Sequence, residues 1–186
     1  SSSAASDVYK RQHLPKQSYL QVANSMPIRD LEWFWKGSKK GRVLHGNRGA
    51  NGIDGTLGTA LGLAHKNPNA NYLLTGELAF LHDSNALLAS RVFSGNLTVI
   101  LVNNEGGGIF ENLPVANLPT FEKCFATPQS CDFKILCQAH GVDHHEPADW
   151  KTLIDLLESP PSSGIQVLEI KTCLLYTSDA ADEEDS

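Results

Sequence analysis

Short, nearly continuous apolar runs alternate along this chain with segments whose apolar positions recur at helical spacing. The runs at 19–23 (YLQVA), 43–45 (VLH), 72–78 (YLLTGEL), 97–103 (LTVILVN) and 164–170 (GIQVLEI) predict strands, the last by its alternation. Segments 29–35, 56–65, 80–93, 133–140 and 150–157 predict helices, with Asp83 or Ser84 as candidate caps of the third. Residues 111–131, punctuated by Pro114, Pro119 and Pro128, read as irregular. Strands separated by helices predict an α/β fold: an open, mainly parallel sheet with helices on both faces. The core pattern runs over 13–173. The ends, 1–12 and 174–186, carry none and read as tails, either foreign to the protein or disordered, on what is expected to be a fragment of a longer one.

Two of the predicted strands end in oxygen ligands. The first closes on Thr75-Gly76-Glu77, and the second on Asn103-Asn104 followed by Glu105 and the glycines 106–108. Open parallel sheets bind ligands at the carboxyl ends of their strands. Glu77 and Asn104 are far enough apart in the chain for a right-handed strand–helix–strand crossover. If the two strands are neighbours, both side chains emerge on one edge of the sheet. The glycine run then lets a carbonyl turn inward, giving a hard-oxygen set suited to Mg²⁺ or Ca²⁺ holding a diphosphate. The glycine-dense segment 46–55 allows close approach of another backbone or a ligand.

Composition narrows the classes. The 186 residues are 41% hydrophobic and 19% charged, with a net charge of −6. That argues against nucleic acid or an anionic membrane as partner, and no apolar run is long enough to span a bilayer. Cys124, Cys131, Cys137 and Cys173 form no Cys-x-x-Cys pair, so they read as reduced thiols of a cytoplasmic protein; zinc held by the first three with His140 or His144 is the alternative. His144, His145 and Glu146 read as an exposed turn. Trp33 and Trp35 read as core or subunit-interface residues, and Asp54 as a helix N-cap. Arg48 could cap a helix or pair with Asp54, and Arg29 could pair with Asp30.

The motifs Asn24-Ser-Met-Pro-Ile-Arg29, Gly46-Asn-Arg-Gly-Ala-Asn-Gly-Ile-Asp-Gly55, Phe80-Leu-His-Asp83 and Asn103-Asn-Glu-Gly-Gly-Gly-Ile-Phe110 make the chain resemble a known family from about residue 17 to 172. They are similar to the C-terminal diphosphate-binding domain of the thiamine-diphosphate-dependent synthases of menaquinone biosynthesis. The Asn-Arg-Gly-Ala block carries most of the specificity, since a lone glycine–acid pair is weak.

The resemblance implies thiamine diphosphate as cofactor, with Mg²⁺ (Mn²⁺ or Ca²⁺ as substitutes) on Glu77, Asn104 and the Gly106 carbonyl. It sets Ser25, Gly76, Leu78, Ile109 and Phe110 beside the cofactor, and Ile53 where a bulky apolar side chain props the cofactor in its bent form. Ser25, Arg29 and Arg48 fall on substrate positions, with Ile53 and Arg48 serving catalysis. The implied activity is that of a transferase that decarboxylates 2-oxoglutarate and adds the succinyl unit to isochorismate. A pyrimidine-binding domain, on the same or a partner subunit of a homo-oligomer, would supply the activating glutamate, so the chain alone is expected to be inactive. Position 77 departs from the family, which usually has Asp there; weakened Mg²⁺ dependence is expected. Another thiamine-dependent decarboxylase or acetolactate-type synthase, or a non-catalytic phosphate-binding α/β domain, are the alternatives.

Overall fold

The computed structural model describes residues 13–35, 41–49, 52–111 and 113–172. Strands β1 (Tyr19–Val22), β2 (Val43–Gly46), β3 (Asn71–Gly76), β4 (Asn96–Asn103), β5 (Asp143–His145) and β6 (Gly164–Lys171) form one sheet. Their order is β2-β1-β3-β4-β6-β5, and every pairing is parallel. The helices are α1 (Met26–Phe34), α2 (Thr56–Ala64), α3 (Glu77–His82), α4 (Phe133–Ala139) and α5 (Trp150–Glu158). A 3₁₀ segment, Ser84–Arg91, follows α3 directly.

The central strands are buried on both faces, which is why β3 and β4 read as continuous apolar runs. Leu73, Val99, Leu101 and Val167 pack on one face against Leu57 of α2, Phe80 of α3 and Phe133 of α4. Tyr72, Leu74, Ile100 and Leu168 pack on the other against Leu31 of α1 and Leu153 and Leu157 of α5. Each fully buried leucine contributes roughly 2 kcal/mol. The Tyr72 hydroxyl donates to Leu157 O at 2.7 Å, tying the central strand to the end of α5. Burial raises the pKa of that phenol, so it remains a donor.

Helix starts are fixed by side chains in two cases. Asp132 accepts from Ile135 N at 2.9 Å and Asp149 from Thr152 N at 2.7 Å. The second bond also holds the exposed Asp149 carboxyl below its ordinary pKa.

Several expectations change. The strand predicted over 72–78 ends at Gly76, so Glu77 and Leu78 begin α3 instead. The helix predicted over 80–93 is divided between α3 and the 3₁₀ segment, and neither Asp83 nor Ser84 caps it. Asp83 is used across the fold: its Oδ2 accepts from Gly58 N at 2.7 Å in the first turn of α2. Asp54 is not the cap of α2. Gly55 takes that place at φ 67°, a left-handed conformation that asks for glycine, and Asp54 Oδ1 faces His82 Nδ1 at 3.4 Å. Trp33 is 67% exposed, not core, while Trp35 packs against the second apolar cluster. The segment 111–131 holds a 3₁₀ turn, Pro114–Asn117, and a single π-helical turn, Glu122–Ala126. His144 lies on β5 with its side chain only 7% exposed, not on an exposed turn.

No helix among the described residues is long and apolar enough to cross a membrane. None of their His, Cys, Asp and Glu residues gather in threes to hold a metal, so the zinc alternative for Cys124, Cys131 and Cys137 has no site there. Cys173 and both predicted tails lie outside the described residues.

The turn into β4 is the tightest backbone approach in the fold. A Cβ on Gly95 would meet Ala64 O, at the end of α2, at 2.3 Å. Gly95→Ala is expected to destabilise the protein by roughly 1–3 kcal/mol in denaturant unfolding, since a backbone oxygen cannot rotate away.

Candidate functional site

The strand order reverses between β1 and β3. From β1 the chain moves outward to β2; from β3 it moves the other way to β4. Side chains and loops diverge at such a switch point and leave a crevice beyond the carboxyl ends of the strands. A cleft of about 540 Å³ occupies it. Every residue assigned to the cofactor, metal and substrate set lines this cleft: Ser25, Arg29 and Arg48; Ile53; Gly76, Glu77 and Leu78; Asn104, Gly106, Ile109 and Phe110.

Each side chain is aimed by its element. Parallel pairing sets Gly76 beside Val102, so the ends of β3 and β4 deliver Glu77 and Asn104 to the same rim. Glu77 opens α3, where a carboxylate is favoured by the unpaired amides of the first turn. It is 2% exposed, and its Oε1 accepts from Gly106 N at 2.8 Å. Burial pushes the Glu77 carboxyl above its ordinary pKa. The backbone amides of Glu77, Asn104 and Gly106 pull it back, and the charge of Glu105 adds to the rise. None of the ion pairs among the described residues involves Glu77.

The Asn104 amide faces this carboxylate and has two useful orientations. With its NH₂ inward it donates to Glu77 Oε2 at 3.0 Å and to Gly106 O at 3.1 Å. With its oxygen inward, three oxygens converge at those same spacings, an arrangement that is repulsive unless a cation lies among them. Oxygens bound at adjacent corners of an octahedron of about 2.1 Å bonds lie about 3.0 Å apart. The donor set therefore suits a small hard dication, which would also answer the buried, unpaired charge of Glu77.

The glycine loop is pinned from outside the cleft. Gly107 N donates to Ala126 O at 2.7 Å, and a Cβ on Gly107 would meet Phe125 O at 2.5 Å. Phe110 packs edge-on against Phe125, which stacks on Phe121, so the π-helical turn holds the loop in place. Isolated π turns recur at functional sites.

On the opposite rim, Ser25 takes a positive φ of 74° between β1 and α1. A non-glycine residue in that region is strained, and such strain tends to gather at ligand sites. Arg29 Nη1 donates to Ser25 O at 2.8 Å. Arg48 Nη1 donates to Asn24 Oδ1 at 3.0 Å, the bond it makes in place of the helix cap or Asp54 pairing considered above.

Asn24 opens one of the motifs quoted above, but the sequence assigned it no role. Its Nδ2 donates to Asn47 O at 3.0 Å and Gly52 O at 2.6 Å, fastening the glycine-dense loop to the end of β1. The only signal was its place before the Ser-Met-Pro turn. Gly107 was visible as part of a glycine run, but its hydrogen-bond partner Ala126 lay in a segment without periodicity.

No protein-family model matches the chain. Among curated proteins it is 53% identical over 162 residues to the 2-succinyl-5-enolpyruvyl-6-hydroxy-3-cyclohexene-1-carboxylate synthase of Synechococcus elongatus, covering 87% of this chain and 28% of that protein. It is 51% identical to the synthase of that name from Trichodesmium erythraeum over the same shares, and 46% identical to that of Rippkaea orientalis, covering 87% of this chain and 27% of the relative. The chain thus spans little more than a quarter of the length of the curated relatives it matches. Among solved structures, benzoylformate decarboxylase from Polynucleobacter necessarius superposes with a TM-score of 0.62 at 14% identity, over 91% of this chain and 32% of that one. An enzyme from Mycobacterium smegmatis described as thiamin diphosphate-dependent gives 0.65 at 15% identity, over 93% and 32%. At such identities these two likenesses speak for the fold alone.

Gly107→Ala is expected to lift residues 106–110 away from the π turn. Hydrogen exchange should show lost protection at the Gly107 and Gly108 amides, with the β3 and β4 amides unchanged.

Proposed function

We propose that this chain, a relative of the 2-succinyl-5-enolpyruvyl-6-hydroxy-3-cyclohexene-1-carboxylate synthases over one segment of their length, is a diphosphate-binding domain spanning 13–173. It holds thiamine diphosphate through Mg²⁺ and serves a synthase that joins the decarboxylated carbons of 2-oxoglutarate to isochorismate. The observation that carries this reading is the oxygen set of Glu77, Asn104 and Gly106, spaced at 3.0 and 3.1 Å around a buried carboxylate that none of the ion pairs among the described residues engages. Mg²⁺ fits that spacing better than Ca²⁺, whose longer bonds of about 2.4 Å ask for oxygens about 3.4 Å apart.

When bound, the cofactor supplies the electron sink that makes decarboxylation and carbon–carbon bond formation feasible. The chain's own residues do the rest of the work on this side of the site. Glu77 and Asn104 anchor the cation, and through it the diphosphate. Leu78, Ile109 and Phe110 keep the reacting end dry, which favours a step that loses charge. Ile53, half-buried in the same wall, would supply the bulky apolar support against which the cofactor rests. Arg29 and Arg48, both exposed at the cleft mouth, receive substrate carboxylates, for which a guanidinium offers paired donors. Ser25 contributes its hydroxyl beside them.

The chemistry still needs an acid to activate the aminopyrimidine, and a second domain, on the same or a partner subunit, would bring it. The chain by itself is therefore expected to bind cofactor without turning over 2-oxoglutarate. Detectable turnover by this chain, purified free of other enzyme, would overturn that division of labour.

The direct test is thiamine diphosphate binding with and without Mg²⁺, followed by fluorescence quenching. Glu77→Gln keeps the side chain's length and removes its charge. It should weaken Mg²⁺-dependent binding by at least about tenfold, or 1.4 kcal/mol. Equal affinity in the variant, or binding indifferent to Mg²⁺ in the unaltered protein, would remove Glu77 from the ligand set.

A further inference from the structure

Glu169 is a carboxylate in the middle of a core strand, 4% exposed. A charge so placed is costly unless its lone pairs are satisfied. Both oxygens are engaged. Asn103 Nδ2 donates to Oε1 at 2.7 Å, and His144 Nε2 lies 2.8 Å from Oε2. The three residues come from neighbouring strands, β4, β6 and β5, and share the carboxyl edge of the sheet.

The consequence runs through the amide of Asn103. A carboxylate accepts and cannot donate, so the Asn103 NH₂ must face Glu169 and its oxygen must face away. That oxygen accepts from Glu105 N at 3.1 Å. Glu105 stands at φ 60°, a conformation that a residue with a side chain adopts at a cost, and Gly106 follows at φ 153°. This turn is what aims the Asn104 side chain and the Gly106 carbonyl at Glu77. Neighbouring residues of the turn face opposite ways: Asn104 lines the cofactor cleft, whereas Asn103 and Glu105 line a second cleft of about 630 Å³ that Glu169 and His144 also border.

We infer that Glu169, with His144 behind it, is a positioning residue for the cation loop: it fixes the Asn103 amide, which holds the Glu105 turn, which presents the ligand oxygens. Neither residue touches the cofactor cleft. The inference deepens the proposed function and rests on it.

The donor–acceptor logic can be reversed, and the reversal is the test. In the full-length protein that carries this chain, Asn103→Asp sets two carboxylates against each other. It should weaken Mg²⁺-dependent thiamine diphosphate binding at least tenfold and speed exchange of the Glu105 amide. Glu169→Gln alone keeps an acceptor for Asn103 but can also turn its NH₂ toward it, so it should weaken binding, though less than Asn103→Asp does. The double variant Asn103→Asp with Glu169→Gln restores a matched pair with roles exchanged, and should recover both affinity and Glu105 protection. A role in folding alone would lower the unfolding midpoint of the variants and leave affinity and the Glu105 amide untouched.

Unaltered affinity in Asn103→Asp, or a double variant no better than the single one, overturns the inference while leaving the cofactor reading intact. If Asn103→Asp does not fold, the double variant still decides, because it must bind as the unaltered protein does. Unaltered protein that binds no thiamine diphosphate would overturn the underlying reading instead.

Discussion

A carboxylate buried at the start of a helix, engaged by no ion pair among the described residues, is the constraint around which this molecule is arranged. Glu77 sits where β3 ends and α3 begins, and its charge is opposed by burial. The fold offers it backbone amides and one rotatable amide, Asn104. Hydrogen bonds alone keep the residue tolerable. A dication would convert the same cost into affinity, because a charge already stripped of water need not be desolvated again on binding. The cleft, the glycine loop and the clamp behind it all serve to keep those oxygens together.

The sheet supplies the precision. Side-by-side parallel strands deliver their ends in register, and β3 with β4 is the most deeply buried pair in the sheet. Neither strand end can drift without disturbing both apolar layers. Irregular segments do the finer work at the rim: a strained Ser25, a left-handed Glu105 and a π turn under Phe110. Regular structure fixes the distance between the ligand-bearing ends, and strained turns fix their direction.

Much of this was legible in the sequence because the physics was local. Apolar runs named every strand but the short polar β5, and the glycine–acid and Asn pairs at the ends of β3 and β4 named the cleft. What escaped was non-local. Nothing around Asp83 announces that it accepts from the Gly58 amide in the first turn of α2, far away in sequence, and Asp54 looked the natural cap by proximity. His144 in a polar stretch looked solvated, since its partner Glu169 lies on another strand. Glu169 itself was a visible anomaly, a charge within an otherwise apolar strand, but alternation alone could not say that the position faced inward. The break between α3 and the 3₁₀ segment was hidden because both periods accommodate the same apolar positions.

The two-way amide of Asn104 gives the cleft an internal hydrogen-bonded arrangement of its own. Binding a cation there would trade two protein hydrogen bonds for coordination, so entry would be an exchange and not simple filling of a void. On the proposed reading, those two hydrogen bonds would let the fold be complete before any cation arrives. Occupancy then becomes a matter of supply in the surroundings, set anew at each encounter.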